Sequence, residues 1–381
     1  MTIKFYIVGG YVRDRVLGRE AKDHDFVVTG ATAVDMKTLG YIPIEAQAFP
    51  VFHHPKTRDE YALARTEKKT GEGYHGFEVY SDPEITIEED LLRRDLTCNA
   101  MAREVLSWNE AGFAKLSDEI IDPYGGVEDL RNGVLRHVSD AFAEDPVRVL
   151  RVARFAARYN FSVAPETMDL MRSLVKSGEL DHLTEERVWK ELEGALTAEQ
   201  PTKFFWTLEA CGAKDVLFPE LGRSLIHSGY GLSRAALRNA DMFVRYMLLT
   251  SLVDLDKADE FYVRLKAPND IQRLATKFNR LLRYLKDRAA EQHDPEKVLK
   301  ALHMLDAFRR PDDMVELSSA LGFASFDSRI ESGMDALLTA FREARKVSFA
   351  TLTVEQQAVL KGEQIGLAID QTRLEKIKEV V

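Results

Sequence analysis

The fold is decided by residues 3–28, which read IKFYIVGGYVRDRVLGREAKDHDFVV. Ile3 to Val8 is an apolar run with β-branched and aromatic residues, so it predicts a strand. Gly9-Gly10 ends this strand with a turn, and apolar residues at helical spacing from Tyr11 to Leu17 predict a helix after the turn. A second apolar run, Phe26 to Val28, predicts another strand. The chain is therefore expected to begin with a strand, a glycine turn, a helix and a strand.

Two carboxylates open the second strand, at Asp23 and Asp25. Residues i and i+2 of a strand project from the same face, so both side chains are expected to point the same way. They follow a glycine turn whose backbone N–H groups, together with Arg13, are suited to bind phosphate. Carboxylates held this close favour a cation between them, and Mg²⁺ bound to carboxylates and substrate phosphates is the usual solution. The alternative is that the Asp-x-Asp pattern belongs to a turn or a solvated strand edge.

Length and composition exclude several classes of protein. With 381 residues the chain exceeds one typical core, and 45% hydrophobic with 30% charged residues is an ordinary globular composition. No apolar run approaches the ~18 residues of a membrane span, and Met1 to Val8 leads directly into structure, so we expect a cytoplasmic protein. Cys98 and Cys211 alone indicate neither a disulfide framework nor a thiolate zinc site.

Positive charge is concentrated in one region of an acidic chain. The net charge is −10, yet between Phe261 and Arg310 twelve Lys or Arg residues accompany only six Asp or Glu residues. A polyanion would therefore be bound by patches. One helix face in this region is predicted to carry Arg273, Lys277, Arg280 and Tyr284. Basic side chains interleaved with a tyrosine suit an RNA backbone and a stacked base, although an ordinary surface helix gives the same pattern.

Short strands and helices alternate up to about residue 137. Thr66 to Gly76 is basic and glycine-rich, which predicts a mobile loop of the kind that carries function. Thr86 to Glu89 is a capping box that starts a helix, and this helix leads into Arg93-Arg94-Asp95. Short strands are predicted at Tyr41 to Ile44, Val51 to His54 and Asp59 to Ala64, which includes Glu60. The segment from Ile120 to Leu135 closes this mixed region.

After about residue 138 helical periodicity replaces the strand signals. Asp145-Pro146 provides a cap residue followed by proline at the first helical position. The helix that follows carries Arg148, Arg151, Arg154 and Arg158 on one face and apolar residues on the other. Arginines at the start of a helix oppose its dipole unless an anion is bound there, so they indicate a phosphate or nucleotide ligand. A solvated charged face is the alternative.

Together these residues resemble the motif set of class II tRNA nucleotidyltransferases, and the similarity is close to the bacterial CCA-adding enzymes. It runs nearly continuously from residue 3 to about residue 220 and resumes more weakly near the C-terminus. Several motifs in the correct order are far more specific than any one of them. The matching segments are Val8 to Asp14, Asp23-His24-Asp25, Arg93-Arg94-Asp95, Glu144 to Arg148 followed by Arg151 and Arg154-Phe155, and Glu186 to Leu192.

The resemblance implies an α+β protein of the polymerase-beta superfamily that adds cytidine, cytidine and adenosine to the tRNA 3′ end from CTP and ATP. A nucleotidyltransferase head with a mixed sheet would be followed by helical parts. The expected boundaries are residues 1–137 for the head, 138–200 for the neck that recognises the base, 201–300 for the body and 301–381 for the tRNA-binding tail. The oligomeric state is left open, with a monomer favoured.

The resemblance also implies roles for individual residues. Asp23 and Asp25 would hold Mg²⁺, and Glu60 is a candidate third carboxylate. Gly10, Arg13 and Arg94 would contact the nucleotide and its triphosphate, and Asp95 would recognise the ribose 2′-hydroxyl. The nucleotide-binding set is completed by Asp145, Arg148, Arg151 and Arg154.

Base selection has a physical explanation that needs no nucleic-acid template. Cytosine presents an amino donor beside the N3 acceptor, and adenine presents an amino donor beside the N1 acceptor. A carboxylate at Asp145 and a guanidinium at Arg148 complement both bases, whereas uracil and guanine exchange donor and acceptor. Asp145 is also expected to act as a helix cap.

Three alternatives to full CCA addition stay open at this point. A poly(A) polymerase shares the head and neck motifs, but the acidic net charge disfavours it. A partial enzyme that adds only CC or only A is disfavoured by the Thr66 to Gly76 loop and by the Asp145 and Arg148 pair. A tRNA-binding protein without catalysis would be expected to lose Asp23 or Asp25. Longer relatives carry a His-Asp phosphohydrolase site, and because Val253 precedes Asp254 here, we expect no such activity.

Overall fold

The computed structural model describes residues 2–21, 24–45, 49–69, 77–221, 229–253, 257–288, 294–324 and 327–381. The chain forms two compact units. The first contains Met1–Glu191 and Lys203–Leu217, and the second contains Leu192–Thr202 and Phe218–Val381. The first unit takes in the predicted head and most of the neck. The division into four functional parts stays a prediction. Within the described residues, no helix is long and apolar enough to cross a membrane.

A mixed sheet forms the centre of the first unit. Its strand order is β3-β4-β5-β2-β1-β8-β9, in which β2 and β5 run parallel and the other neighbours run antiparallel. Two small sheets, β6-β7 and β10-β11, accompany it. The strands are β1 Lys4–Val8, β2 Asp25–Thr29, β3 Ile42–Pro43, β4 Val51–His53, β5 Glu60–Leu63, β6 Arg65–Lys69, β7 Phe77–Ser81, β8 Ala102–Trp108, β9 Ala114–Leu116, β10 Val134–Leu135 and β11 Ser162–Val163.

Helices occupy most of the chain after the sheet. Those up to residue 217 are α1 Gly10–Val16, α2 Ala33–Thr38, α3 Ile87–Leu92, α4 Gly126–Asn132, α5 Val147–Tyr159, α6 Pro165–Lys176, α7 Glu185–Leu196, α8 Pro201–Cys211 and α9 Ala213–Leu217. The later ones are α10 Tyr230–Leu237, α11 Met242–Thr250, α12 Ala258–Leu265, α13 Asn269–Arg288, α14 Pro295–Met304, α15 Asp313–Ala324, α16 Ser328–Ala344, α17 Val354–Val359 and α18 Glu363–Lys378.

The strand, glycine turn and helix predicted at the N-terminus are confirmed as β1, Gly9 and α1. Gly9 has φ +64°, a left-handed conformation that L side chains rarely adopt, so glycine is required at this turn. The capping box of α3 is also confirmed, because Thr86 and Glu89 bond reciprocally. The predicted loop from Thr66 was wrong in its first part, since that segment forms β6 and pairs with β7. Residues 70–76 lie outside the described residues.

Each unit has its own apolar core. In the first, Tyr6, Val8 and Val27 from the sheet pack with Leu91 of α3. In the second, a larger core is formed by residues of α10, α11, α13, α14, α15, α16 and α18. Representative members of it are fully buried: Met247, Phe278, Leu302, Leu317 and Leu337. Such burial contributes roughly 1.5 to 3 kcal/mol for each large apolar side chain.

Candidate functional site

The first two carboxylates of the site come from neighbouring strands. Asp25 begins β2 and Glu60 begins β5, and the two residues are direct partners in the parallel pairing. Parallel strands lie about 4.8 Å apart, and paired residues project from the same face. Both residues are exposed. Glu60 thus lies where a third carboxylate is expected, while Asp23 is outside the described residues.

The carboxylate oxygens of Asp25 and Glu60 are the ligand type that Mg²⁺ prefers. Among the residues that the structure describes, no group of three His, Cys, Asp or Glu side chains is placed to hold a metal ion. The predicted triad also includes Asp23, which lies outside the described residues, so this finding does not cover the triad. The carboxylate ligands at the start of β2 and β5 fit a hard divalent cation.

Arg13 lies behind the glycine turn in a buried network. Its Nε donates to Asp14 Oδ1 over 2.8 Å, and its Nη1 donates to Asn99 Oδ1 over 2.6 Å. Its guanidinium also lies 5.3 and 5.1 Å from the ring centroids of Phe155 and Tyr159. Burial alone would lower the pKa of Arg13, but the hydrogen bond to Asp14 raises it, so the positive charge is retained. The network fixes this charge beside the first turn of α1.

A buried carboxylate holds the two arginines that follow α3. Asp90 is 0% exposed and accepts from Arg93 Nη2 at 2.8 Å and from Arg94 Nη2 at 3.1 Å. Burial would raise the pKa of Asp90, but the two guanidinium groups outweigh it and lower that pKa. Arg94 Nη1 lies 3.0 Å from the position that a Cβ on Gly9 would occupy. Asp90 therefore places Arg94 against the glycine turn.

Asp95 is tied to the arginine face of α5. Its Oδ2 accepts from Arg151 Nε at 2.8 Å and lies 2.7 Å from Arg151 Nη2. Its Oδ1 accepts from Asn99 Nδ2 and from the backbone of Leu96. Burial would raise the pKa of Asp95, but Arg151 and these hydrogen bonds lower it to about 2. The residue predicted to recognise the ribose thus also fixes α5 to the Arg93-Arg94-Asp95 segment.

Asp145 and Arg148 are held by different partners. Asp145 Oδ1 accepts from the backbone N–H of Val147, the first residue of α5. The N-cap position itself is Pro146, so the prediction of Asp145 as the cap with proline as the first helical residue was wrong by one position. The same carboxylate accepts from Arg187 Nη2 at 3.0 and 2.7 Å. Arg148 donates to the backbone carbonyls of Ala141 and Arg93, each over 2.8 Å. The predicted base-reading pair is therefore positioned from two sides.

The arginine row continues along α5. Arg154 Nε bonds Glu191 of α7, and Arg158 pairs more distantly with Asp14, over 3.8 Å. Arg148, Arg151 and Arg154 are half-buried, whereas Arg158 is exposed. The structure thus brings together the glycine turn, the Arg93-Arg94-Asp95 segment and the arginine face of α5. Every one of these residues lies in the first unit.

Sequence reasoning missed the residues that position this site. Asp90 on α3 lies four residues before Arg94, which follows the end of that helix, and this acid–base spacing was available as a signal. Arg187 and Glu191 stand inside the segment that resembles the family, but nothing in the sequence indicated their partners. Asn99 gave no local signal at all.

The predicted RNA-binding face of α13 is only partly exposed. Lys277 is 6% exposed, and its Nζ lies 2.7 Å from Asp313 Oδ2. Arg273 also pairs with Asp313, and Tyr284 packs against the core of the second unit. Arg280 is exposed. Lys277 is therefore paired inside the second unit, and RNA binding by this helix stays a prediction that rests mainly on Arg280.

The segment matching the phosphohydrolase site is described only up to Val253. Asp254 and Leu255 lie outside the described residues. The prediction that this chain lacks phosphohydrolase activity therefore stays a prediction.

Two family descriptions match the chain in sequence. The poly A polymerase head domain matches residues 5–136, and a probable RNA- and SrmB-binding site of polymerase A matches residues 160–225. A relative from Nitrosococcus oceani named multifunctional CCA protein is 41% identical and covers 100% of this chain and 99% of its own length. One from Pseudomonas putida named CCA-adding enzyme is 44% identical, and the match covers 98% of each chain.

Solved structures show the same fold at lower identity. A structure described as a complex of CCA-adding enzyme with ATP has a TM-score of 0.67 and 21% identity, and the match covers 98% of this chain and 86% of that one. A structure described as tRNA-processing enzyme with CTP has a TM-score of 0.65 and 23% identity, covering 98% and 97%. These two structures support the mixed sheet followed by helices.

Proposed function

The chain belongs to the family of CCA-adding enzymes, and from this we propose that it adds C, C and A to the 3′ end of tRNA from CTP and ATP. The relatives that support this proposal match nearly the whole chain at 41 and 44% identity. Within the structure, the observation that carries it is the connected set of contacts from the glycine turn through Arg94 and Asp95 to α5. We also propose a cytoplasmic location, where tRNA acceptor ends are available.

The carboxylates at and near the start of β2 and β5 supply oxygen ligands for a metal ion. We propose that Asp23, Asp25 and Glu60 hold Mg²⁺, which when bound supplies charge neutralisation at the α-phosphate and lowers the pKa of the attacking 3′-hydroxyl. In the reaction the tRNA 3′-oxygen forms a bond to the α-phosphorus. The bond from that phosphorus to the bridging oxygen breaks, and pyrophosphate leaves.

The glycine turn and the arginines bind the rest of the nucleotide in this proposal. Gly10 brings a backbone N–H of α1 to the triphosphate without a side chain in the way, and a helix N-terminus favours anions. Arg94, held by Asp90, and Arg13, held by Asp14 and Asn99, place positive charge beside this turn. Preorganised charges of this kind stabilise phosphoryl-transfer transition states because they need no reorganisation during the reaction.

Asp145 and Arg148 select the base in this proposal. Ionised Asp145 accepts a hydrogen bond from the amino group of cytosine or adenine, and Arg148 donates to the neighbouring ring nitrogen. Uracil and guanine present a carbonyl to the carboxylate and an N–H to the guanidinium. Both contacts are then mismatched, which is how a protein rejects these two bases without a template.

The test is extension of a tRNA transcript that ends before CCA, run with single nucleotides and with mixtures. CTP alone should add two residues, ATP alone should add none, and the mixture should add three and then stop. An A-only addition, a stop after CC or a long oligo(A) tail would each replace the proposal by one of the alternatives. The variant D25N should abolish extension because it removes a metal-binding carboxylate.

D169N is the matched control for D25N. Asp169 is an exposed aspartate on α6 that pairs with Arg172. Exposed pairs contribute about 0 to 1 kcal/mol, so full activity is expected in this variant. Equal activity of D25N and the unmodified protein would refute the metal assignment.

A further inference from the structure

Helix α7 meets α5 and the residues before it through two side chains that lie one turn apart. Arg187 and Glu191 are at i and i+4, so they share one face of α7. Arg187 contacts Asp145, and Glu191 contacts Arg154. The two ion pairs have opposite polarity, since α7 supplies the cation in one and the anion in the other. This face of α7 therefore contacts one residue before and one residue after the pair Arg148 and Arg151.

The hydrogen bonds of Asp145 leave little acceptor capacity. An ionised carboxylate offers about four lone-pair positions. The Val147 backbone N–H occupies one on Oδ1, and Arg187 Nη2 contacts both Oδ1 and Oδ2, at 3.0 and 2.7 Å. About one position remains, and it is on Oδ2. Both the Asp145 and Arg187 side chains are 24% exposed, so part of each is open to solvent.

We propose that Arg187 is a positioning residue for base selection, because it fixes the rotation of the Asp145 carboxylate so that one Oδ2 lone pair faces the base. This inference rests on the proposed function. One fixed acceptor matches the single amino donor of cytosine or adenine. Without Arg187 the carboxylate turns more freely about its χ angles, and the geometry that rejects a carbonyl is lost.

A purely structural ion pair is the competing explanation, and the neighbouring contact argues against it. The Arg154 and Glu191 pair already joins α7 to α5. Glu191 is 6% exposed, so that pair is the more buried of the two. The pair of Arg187 and Asp145 is half-buried, so it also contributes to folding. A structural role alone predicts lower stability with unchanged base selectivity, and this difference separates the two explanations.

The experiment compares R187M and R187K with the unmodified enzyme, using tRNA that ends before CCA and each of the four nucleotides. In R187M the ratio of kcat/KM for CTP to that for UTP should fall by roughly tenfold, which corresponds to about 1.4 kcal/mol. KM for CTP should rise, whereas Mg²⁺ dependence should be unchanged. R187K keeps a cation and should recover part of the selectivity, which a merely structural role does not predict.

The matched control is R172M, since Arg172 is an exposed arginine that pairs with Asp169 on its own helix. It should leave selectivity unchanged. An unaltered ratio of kcat/KM for CTP to that for UTP in R187M would overturn the inference. If R187M does not fold, R187K decides: full selectivity for CTP over UTP together with a raised Mg²⁺ requirement would also overturn the inference. Failure of the unmodified enzyme to extend tRNA at all would instead refute the proposed function.

Discussion

Replacing Asp95 by Asn should remove a pH-dependent contribution to the stability of the first unit. The folded protein lowers the pKa of Asp95 from 3.8 to about 2. A shift of this size corresponds to about 2 kcal/mol, which ionised Asp95 contributes at neutral pH. Because the folded-state pKa is depressed, this contribution is present above pH 3.8 and is lost as the pH falls towards 2.

The measurement is urea unfolding of the unmodified protein and D95N between pH 7 and pH 3. By the linkage relation the contribution of Asp95 falls to about half at pH 3, so the stability difference between the two proteins should narrow by about 1 kcal/mol. Tryptophan fluorescence reports on the relevant unit, because Trp108, Trp189 and Trp206 all lie within the first unit.

D169N is the control for this experiment as well. Asp169 has an arginine partner on its own exposed helix surface, so its replacement should change stability by no more than about 1 kcal/mol. The reasoning would be refuted if the difference in the free energy of unfolding between D95N and the unmodified protein stayed constant with pH or widened in acid. Either result would mean that the Arg151 pair does not set the ionisation of Asp95.

Three further predictions address the turn, the second unit and the metal site. G9A places a Cβ at φ +64° and 3.0 Å from Arg94 Nη1, so calorimetry should show a loss of about 1 to 2 kcal/mol and assays should show a raised nucleotide KM. K277M removes one of the two cations that pair with Asp313 and leaves Arg273, so circular dichroism should show the second unit destabilised by about 2 kcal/mol. Unchanged stability of K277M would contradict a stabilising role for the buried Lys277 ion pair. E60Q should raise the Mg²⁺ concentration for half-maximal activity by roughly tenfold, and an unchanged value would exclude Glu60 from the metal site.

The parts of the fold that sequence reasoning found were those with a local cause. The turn at Gly9 follows from a glycine pair after an apolar run, and the apolar side of α5 follows from a repeat of 3.6 residues. The family and its activity followed from several motifs in the correct order. In each case the signal lies within a few residues of the feature it predicts.

The parts that it missed depend on contacts between distant residues. Glu60 was a candidate only through the family resemblance, because its pairing with Asp25 is set by the register of two parallel strands, which no local pattern specifies. On a helical wheel Lys277 belongs to a basic face, but Asp313 on another helix supplies a buried partner for its charge. Periodicity predicts which face a side chain occupies. It does not predict which charged group lies opposite that face.

Ion pairing along α5 is compatible with nucleotide binding because a guanidinium has more donors than one carboxylate uses. Arginine has five N–H donors in a planar fork. Asp95 contacts Arg151 through Nε and Nη2, which leaves the Nη1 edge of that fork for a phosphate oxygen. The Arg151 side chain is 35% exposed, so part of it is open to solvent. The carboxylate therefore orients the arginine and leaves donors for a second anion, as the proposed nucleotide-binding role of the row on α5 requires.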